Sequence, residues 1–473
     1  ILKIVEEGGV PYLVGGTVRD LALNEEEIKD VDIEVHKLSL GDLEKILKNF
    51  GHVRLVGKKF GVLRIDGLDV DWSLPRKDSK GRKPKVEIDP NMTIKEALRR
   101  RDLTINAMAI NLKKLFEKEK IKLSKDIIID PYNGLSDLKD KKLRVVDKKL
   151  FLEDPLRFFR VMQFIGRFEM YPDQDLNEIC RKMDLEDFST GKFISKERIF
   201  EELKKLFLKS KRPSLAFRWL KDIGRLKDVF PEIYALVGVD QRKDYHPEGT
   251  VFEHTMQAID AAAILDKYNN KDEKLIIMFA VLCHDFGKPK STDIDLSTKG
   301  HEKVGVPITK KFLKRITDDK FLISTVSKLV LYHTRLADLV KFNSSLKAYK
   351  RLALKLAPQT NIYQLGLVSF ADLRGRNSQS QIPLKKAFIK HNDIMEYDDV
   401  IFEQVLTKLK EAKLEKGPEE PILKGRHLLE IIEPGPQMGK ILKKAYEIQI
   451  EEDIKDIEEL KKRVFNSKKR DKF

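Results

Sequence analysis

Asp30 and Asp32 fall in DVDIEVH, whose alternation places Val31, Ile33 and Val35 on one side and reads as a β-strand. Residues two apart on a strand point the same way, so the two acids share a face. Such a pair is a hard-oxygen site suited to Mg²⁺, which binds through few carboxylates plus substrate phosphates. Asp69 and Asp71 repeat the arrangement on a later strand. One of them is expected to complete a three-carboxylate, two-metal site for in-line attack on phosphorus. A D-x-D on its own is more often a solvated strand face. The turn before it, Leu13-Val14-Gly15-Gly16-Thr17-Val18-Arg19-Asp20, changes that balance. Two glycines between a strand and a helix let backbone N–H groups approach a triphosphate, and the helix N-terminus adds partial positive charge.

A second constellation lies further on. Five of the nine histidines fall between residues 246 and 333. His254 sits in VFEHTMQAI, His284-Asp285 in FAVLCHDFGK, His301 in KGHEKVG and His333 in VLYHTRL, with Asp372 following in FADLRGRN. One histidine on an apolar helix is more often packed or capping than a ligand. His284-Asp285 differs because it ends the apolar run LIIMFAVLC. Burying an imidazole and a carboxylate there is costly unless something pairs them, and a metal does. Mixed nitrogen and oxygen ligation suits Mn²⁺, Ni²⁺, Fe²⁺ or Mg²⁺, among which the sequence does not choose.

The elements that must position these groups change character along the chain. To about residue 145, short apolar strands alternate with helices. PYLVGG reads as a strand entering the glycine turn, VRDLALN as the helix after it, and GVLRIDGLDVDWSL as a hairpin turned near Asp66 and Gly67. PRKDSKGRKPK reads as a basic loop. Beyond about residue 145, helical patterns take over, as in EDPLRFFRVMQFIGRF, SKERIFEELKKLFLKS, PSLAFRWLKDIG and FEHTMQAIDAAAILDKY. GVDQRKDYHPEGT and DIDLSTKGHEK read as boundaries or insertions. The expected fold class is α+β: a small α/β head with a mixed sheet, followed by an all-helical neck and body.

Composition bounds the rest. A chain of 473 residues suggests about three domains. Its 41% hydrophobic content excludes a disordered chain, and no run of 18 apolar residues offers a transmembrane helix. The formal charge of +16 favours a polyanionic partner such as nucleic acid. A genome-wide enrichment in Lys, Glu and Ile is the competing explanation. Lys461 to Phe473 holds seven basic residues and one acid, a solvated tail rather than a specific reader. Cys180 and Cys283 are too few for a disulfide framework and are expected in helical cores. The start, ILKIVEEGG, has no basic leader segment and no initiator Met, so native residues are expected before it. A soluble cytoplasmic protein is expected, with oligomeric state left open.

LVGGTVRD followed by KDVDIEV resembles the signature of the class II nucleotidyltransferases, which include CCA-adding tRNA nucleotidyltransferases and bacterial poly(A) polymerases. Arg100-Arg101-Asp102-Leu103-Thr104-Ile105-Asn106-Ala107 resembles their second motif, which contacts the nucleotide's sugar and triphosphate. Asp130 through Leu138 resembles the element linking head to neck. Glu153-Asp154-Pro155-Leu156-Arg157, with Arg160 one turn on, resembles the motif whose Asp and Arg template the base; Ser195-Lys196-Glu197-Arg198 resembles the start of the fifth. The resemblance implies catalytic roles for Asp30, Asp32 and Asp71, with Asp69 as the alternative third acid. It implies Mg²⁺ on Asp30 and Asp32, and nucleotide contacts from Gly15, Gly16, Arg19, Arg101, Asp102, Asn106, Asp154, Arg157 and Arg160. An Asp that accepts from an exocyclic amino group and an Arg that donates to ring acceptors suit C and A but mismatch U and G.

The series H…HD…H…H…D resembles the HD-domain phosphohydrolases, an all-helical metal-dependent fold. Carried over by position, His254, His284, Asp285 and Asp372 are direct ligands, and His301 and His333 fit additional ligands or phosphate contacts. His246 is given no ligand role. The order of segments resembles bacterial CCA-adding enzymes with a C-terminal HD domain, over nearly the whole chain. This implies a head at 1–140, a helical neck and body at 141–238, an HD domain at 239–385 and a helical RNA-binding region at 386–473. The implied function is template-free addition of C and A from CTP and ATP to tRNA 3′ ends, with an HD phosphohydrolase activity beside it. An A-adding enzyme, a poly(A) polymerase, or an HD hydrolase with an RNA-binding head are the alternatives.

Overall fold

The computed structural model describes residues 1–24, 31–56, 61–78, 86–116, 125–187, 192–378, 388–391, 394–414 and 417–470. The chain forms two compact units, Ile1–Arg225 and Leu226–Phe473.

The first unit is α+β. Up to residue 129 its strands are β1 (Val10–Val14), β2 (Val31–His36), β3 (Val53–Val56), β4 (Val62–Ile65), β5 (Val70–Ser73), β6 (Arg76–Asp78), β7 (Val86–Ile88), β8 (Ala109–Asn111) and β9 (Ile128–Ile129). Seven of them make one mixed sheet in the order β3-β4-β5-β2-β1-β8-β9, while β6 and β7 pair as a separate ribbon. β4 and β5 are the expected hairpin, with Leu63 opposite Trp72. β6 is a departure, because Arg76–Asp78 reads from sequence as part of a basic loop. Its backbone pairs antiparallel with β7, Arg76 opposite Ile88, and such a ladder is closed by N–H and C=O groups whatever the side-chain charge.

Alternation in β2 holds: Ile33 and Val35 enter the core. On its other face Glu34 and His36 are also buried, and His36 Nε2 lies 3.0 Å from Glu34 Oε1. The helix Leu156–Phe168 turns Phe158, Phe159, Val161, Met162 and Ile165 inward and packs on helices Lys196–Lys209 and Ser214–Asp222. It ends where Glu169 takes a left-handed conformation.

The second unit is built around helices Val251–Ala263, Lys271–Cys283, His301–Ile316, Lys320–Tyr332 and Ile362–Arg374. Four of them start at side-chain caps: Thr250, Asn270, Asp319 and Asn361 each accept a backbone N–H three residues on. Lys271–Cys283 is buried on every side from Leu275 onward, as befits the central helix of a bundle. At its end a Cβ on Gly287 would lie 1.9 Å from the His301 carbonyl oxygen, so only glycine lets these backbones meet. Cys180 and Cys283 are both buried in helices. In the region read as helical, Phe388–His391 and Ile394–Tyr397 instead pair as antiparallel strands. The C-terminal helices close a small core of their own around Leu428, Ile441, Leu460 and Val464. Among the described residues no helix is long and apolar enough to cross a membrane.

Two candidate active sites

β2 and β5 run parallel with Asp32 in register with Asp71, which puts both carboxylates on one face of the sheet. Asp69 precedes β5 and is exposed; Asp30 lies outside the described residues. Asp71 is held by the guanidinium of Arg64 through both oxygens. Gly15 has φ +69°, and a Cβ there would stand 3.0 Å from Arg101 Nη1 and 3.5 Å from Asp32 Oδ2. The glycine therefore keeps the ground above Asp32 open.

A cavity of about 620 Å³ lies over this turn, lined by Gly15, Gly16, Arg19, Asp32, Arg101, Asp102, Asn106 and Arg160 among others. A second of about 210 Å³ shares Asp32 and Arg101 and adds Asp71. Arg19 is buried, donating to Asn106 Oδ1 at 2.6 Å and to Asp20 at 2.7 and 2.8 Å. Asn106 donates onward to Asp102 at 2.9 Å, and Arg160 Nε closes the chain on Asp102 at 2.5 Å. Burial alone would raise the Asp102 carboxyl. Arg160, the Asn106 amide and Arg157 together outweigh it and hold Asp102 well below the usual carboxylate range. Arg160 is thus fixed at the cavity wall by a permanent anion.

The helical part ties the remaining motifs together. Thr104 Oγ1 donates to Asp137 at 2.6 Å, which Arg144 also holds at 2.8 Å. Asp154 accepts from the Leu156 N–H at 3.0 Å, just before the Leu156–Phe168 helix, and receives Arg198 Nη2 at 3.0 Å on each oxygen. Arg157 donates to the carbonyls of Leu150 and Arg100 at 2.7 and 2.8 Å. Neither Asp154 nor Arg157 lines the two cavities, although the charge of Arg157 acts on Asp102 in the wall of the larger one.

In the second unit all six residues singled out from sequence converge. His254 Nε2 lies 3.0 Å from Asp372 Oδ1 and 3.2 Å from His284 Nε2; His284 Nε2 is 3.2 Å from Asp285 Oδ2. His301 Nε2 lies 3.4 Å from Asp285 Oδ1 and 3.1 Å from His333 Nε2. Three sets of donor atoms each fall within 4.8 Å of one another: His246, Glu248 and His254; His254, His284 and Asp285; and Asp285, His301 and His333, so His254 and Asp285 each belong to two of them.

The Nδ1 atoms of His284, His301 and His333 lie 2.7, 2.7 and 2.8 Å from backbone carbonyls, which can only accept. Each Nδ1 therefore carries a proton, which leaves Nε2 as the atom turned to the centre. Neither Asp285 oxygen accepts a well-aligned hydrogen bond, although Lys288 Nζ stands 2.8 Å from Oδ2. This donor set fits divalent metal ions. Burial alone would lower His254, but Asp372 and Glu248 reverse this and take it up to about 9.

Comparison with known proteins follows the same division. Residues 11–144 match the model of the poly A polymerase head domain, 192–236 that of the probable RNA and SrmB-binding site of polymerase A, and 251–372 that of the HD domain. The multifunctional CCA protein of Mannheimia succiniciproducens is 34% identical over 386 residues, covering 78% of this chain and 85% of the relative. The chain belongs to the multifunctional CCA protein family. The Pasteurella multocida member is 33% identical over 382 residues, with 78% and 85% covered. Among solved structures, a CCA-adding enzyme in complex with CTP is 21% identical with a TM-score of 0.57, covering 98% of this chain and 93% of that one. The Thermotoga maritima CCA-adding enzyme in complex with tRNA has a TM-score of 0.54 at 21% identity, with the same coverage. These two share the fold.

For a multifunctional CCA protein, the informative additions are the residues that sequence reading passed over. Gln163 and Phe164 line the larger cavity one turn beyond Arg160 and Arg167 and Phe168 two turns beyond it, joined by Lys205 and Lys209 from helix Lys196–Lys209. Phe168 carries the guanidinium carbons of Arg19 and Arg167 at 4.7 and 4.6 Å from its centroid. The i, i+3, i+4, i+7 spacing from Arg160 was the available signal. In the second unit, Glu248 was missed. Its side chain is fully buried, with Oε1 2.8 Å from His254 Nδ1 and 2.9 Å from His246 Nδ1. The segment GVDQRKDYHPEGT therefore forms part of the histidine site rather than a boundary beside it.

Proposed function

We propose that the first unit adds C and A from CTP and ATP to tRNA 3′ ends with Mg²⁺, and that the second hydrolyses phosphate esters at a divalent metal centre. The observation that supports the first reading best is the meeting of Asp32, Gly15, Arg19 and the Asp102–Arg160 pair in one cavity. In this reading Asp30, Asp32 and Asp71 hold the ions. Bound there, Mg²⁺ activates the attacking hydroxyl and neutralises charge on the leaving pyrophosphate. The RNA 3′-oxygen bonds to the α-phosphorus as the bond to pyrophosphate breaks. Gly15 and Gly16 give the triphosphate close access to backbone N–H groups, and Arg19, Arg101 and Arg160 supply positive charge. Asp154 and Arg157 are the proposed base readers, and to act so they exchange Arg198 and the two carbonyls for the base edge.

The test uses tRNA transcripts ending before CCA, after C and after CC, each with CTP, ATP or both, and products sized to the nucleotide. Addition that halts at CCA is expected. Addition of A only to the CC transcript would identify an A-adding specialist, and long A tails a poly(A) polymerase. No incorporation on any transcript overturns the reading.

In the second unit, His254, His284, Asp285, His301, His333 and Asp372 are the proposed holders of Mn²⁺, Ni²⁺, Fe²⁺ or Mg²⁺. Bound there, the metal polarises the phosphate of 2′,3′-cyclic phosphates, 2′-phosphates or nucleotides and activates water. Glu248 is the charge partner of His254 in this reading: three of the histidines set Nδ1 on a backbone carbonyl, whereas His254 Nδ1 lies 2.8 Å from a buried carboxylate oxygen without an aligned hydrogen bond. Replacing it with the neutral isostere, Glu248→Gln, is expected to weaken Mn²⁺ binding roughly 10- to 100-fold by titration calorimetry. An unchanged affinity would show that Glu248 only fills space.

A further inference from the structure

A mostly apolar pocket of about 230 Å³ opens beside the histidine cluster, walled by Leu336, Val340, Phe370, Phe402 and Val405. Three of its other lining residues connect it to that cluster. Asp372 lines the pocket while its Oδ1 lies 3.0 Å from His254 Nε2. Ser369 lines it and donates from Oγ to the His333 carbonyl at 3.3 Å. Tyr245, at the rim, adjoins His246, whose ring meets that of His254 edge-on at 4.8 Å between centroids. The pocket and the cluster are therefore neighbouring compartments with one carboxylate between them.

The pocket's chemistry complements the cluster's. Metal ligands take a phosphate, whereas this mostly apolar wall offers an anion only Lys341, on an exposed helix end, and Arg376, which already donates to Asp372 at 3.0 and 3.2 Å. The rings of Phe370 and Phe402, 4.1 Å apart between centroids and tilted by 54°, present aromatic surface. Pockets that engulf a whole drug-sized ligand run to roughly 300–1,000 Å³, so this one takes a fragment the size of a single planar ring system. A nucleotide has both parts: a phosphate for the cluster and a flat, weakly polar base for the pocket.

We propose that this pocket holds the nucleobase of the nucleotide whose ribose phosphate is presented to the histidine cluster, which makes the hydrolytic centre selective for nucleotides over other phosphate esters. The inference rests on the cluster's reading as a phosphohydrolase centre, and the test separates the two. Ala337 lines the pocket from its exposed position on helix Arg335–Lys341, where a bulky side chain can block entry without disturbing the core.

The substrates are adenosine 2′,3′-cyclic phosphate and glycerol 1,2-cyclic phosphate, which carries the same kind of ester but no base. In the parent, kcat/KM is expected to favour the nucleotide. In Ala337→Trp the ratio of the two kcat/KM values is expected to fall about ten-fold or more, mainly through KM for the nucleotide. Free adenosine should inhibit the parent competitively and the variant weakly. A variant that lowers both rates alike, or keeps the parent ratio, overturns the pocket's role. A parent that turns over both esters equally also overturns it and leaves the phosphohydrolase reading standing. A parent that turns over neither removes both.

Discussion

Replacing Asp32 with Ala is expected to cut kcat for nucleotide addition about a thousand-fold or more, roughly 4 kcal/mol of transition-state stabilisation. Asp32 is the one carboxylate common to the two cavities above the sheet, and it stands in register with Asp71. Losing it removes half of the described carboxylate pair on which the proposed ions sit. The fold should survive, because the side chain is only partly buried and the strand's pairing runs through the backbone. The Asp32 N–H to Thr17 Oγ1 contact is likewise a main-chain donation that Ala retains. An unchanged melting temperature beside lost incorporation is the expected signature. Two companions sharpen the result. Asp71→Ala should fall with Asp32→Ala, whereas Asp69→Ala should keep the parent rate, since Asp69 is exposed and lines neither cavity. Incorporation by Asp32→Ala at the parent's rate would remove the proposed catalytic centre.

The contrast between Asp69 and Asp71 shows where sequence reading stops. Period-2 alternation announced β2 and the β4–β5 hairpin, because a strand's faces are a local property. The glycine turn was legible for the same reason: Gly15 needs a positive φ and bare space, and both leave a trace in the residue type. Which acid of a D-x-D faces Asp32 is different, since it depends on the register between strands about 40 residues apart. The Asp154–Arg198 pair, 44 residues apart, and the approach of Lys205 and Lys209 to the cavity are set by packing between helices. No periodicity encodes them. Glu248 was hidden for another reason. It lies in a polar, proline-containing link that offers no pattern, although its burial beside two histidines makes it a conspicuous feature once folded. The pair His284-Asp285 stood out because apolar helices rarely carry His-Asp at their ends without a partner for both.

The second large effect is expected at Asp285. Asp285→Asn keeps the shape of the side chain and removes the one anion shared by the group with His254 and His284 and the group with His301 and His333, so it should empty both. Metal analysis of chains purified without chelator and loaded with Mn²⁺ is expected to show near-complete loss of bound metal, and cyclic-phosphate hydrolysis should vanish with it. Single histidine variants provide the scale. His254→Gln disables both groups that contain His254, and His333→Gln only the group with His301, so the second variant should keep more of the parent's metal if the groups bind separately. Loss of fold is a weak alternative, because the neighbouring cation has a second partner: Lys288 Nζ donates to Gln241 Oε1 at 2.6 Å. Retention of the parent's metal by Asp285→Asn would mean that the imidazoles and Asp372 suffice, and the shared role of Asp285 would be wrong. Nucleotide addition gives an independent readout, since every residue proposed for it lies in the other unit. A variant that loses hydrolysis and metal while still completing CCA would assign the two activities to separate sites on one chain.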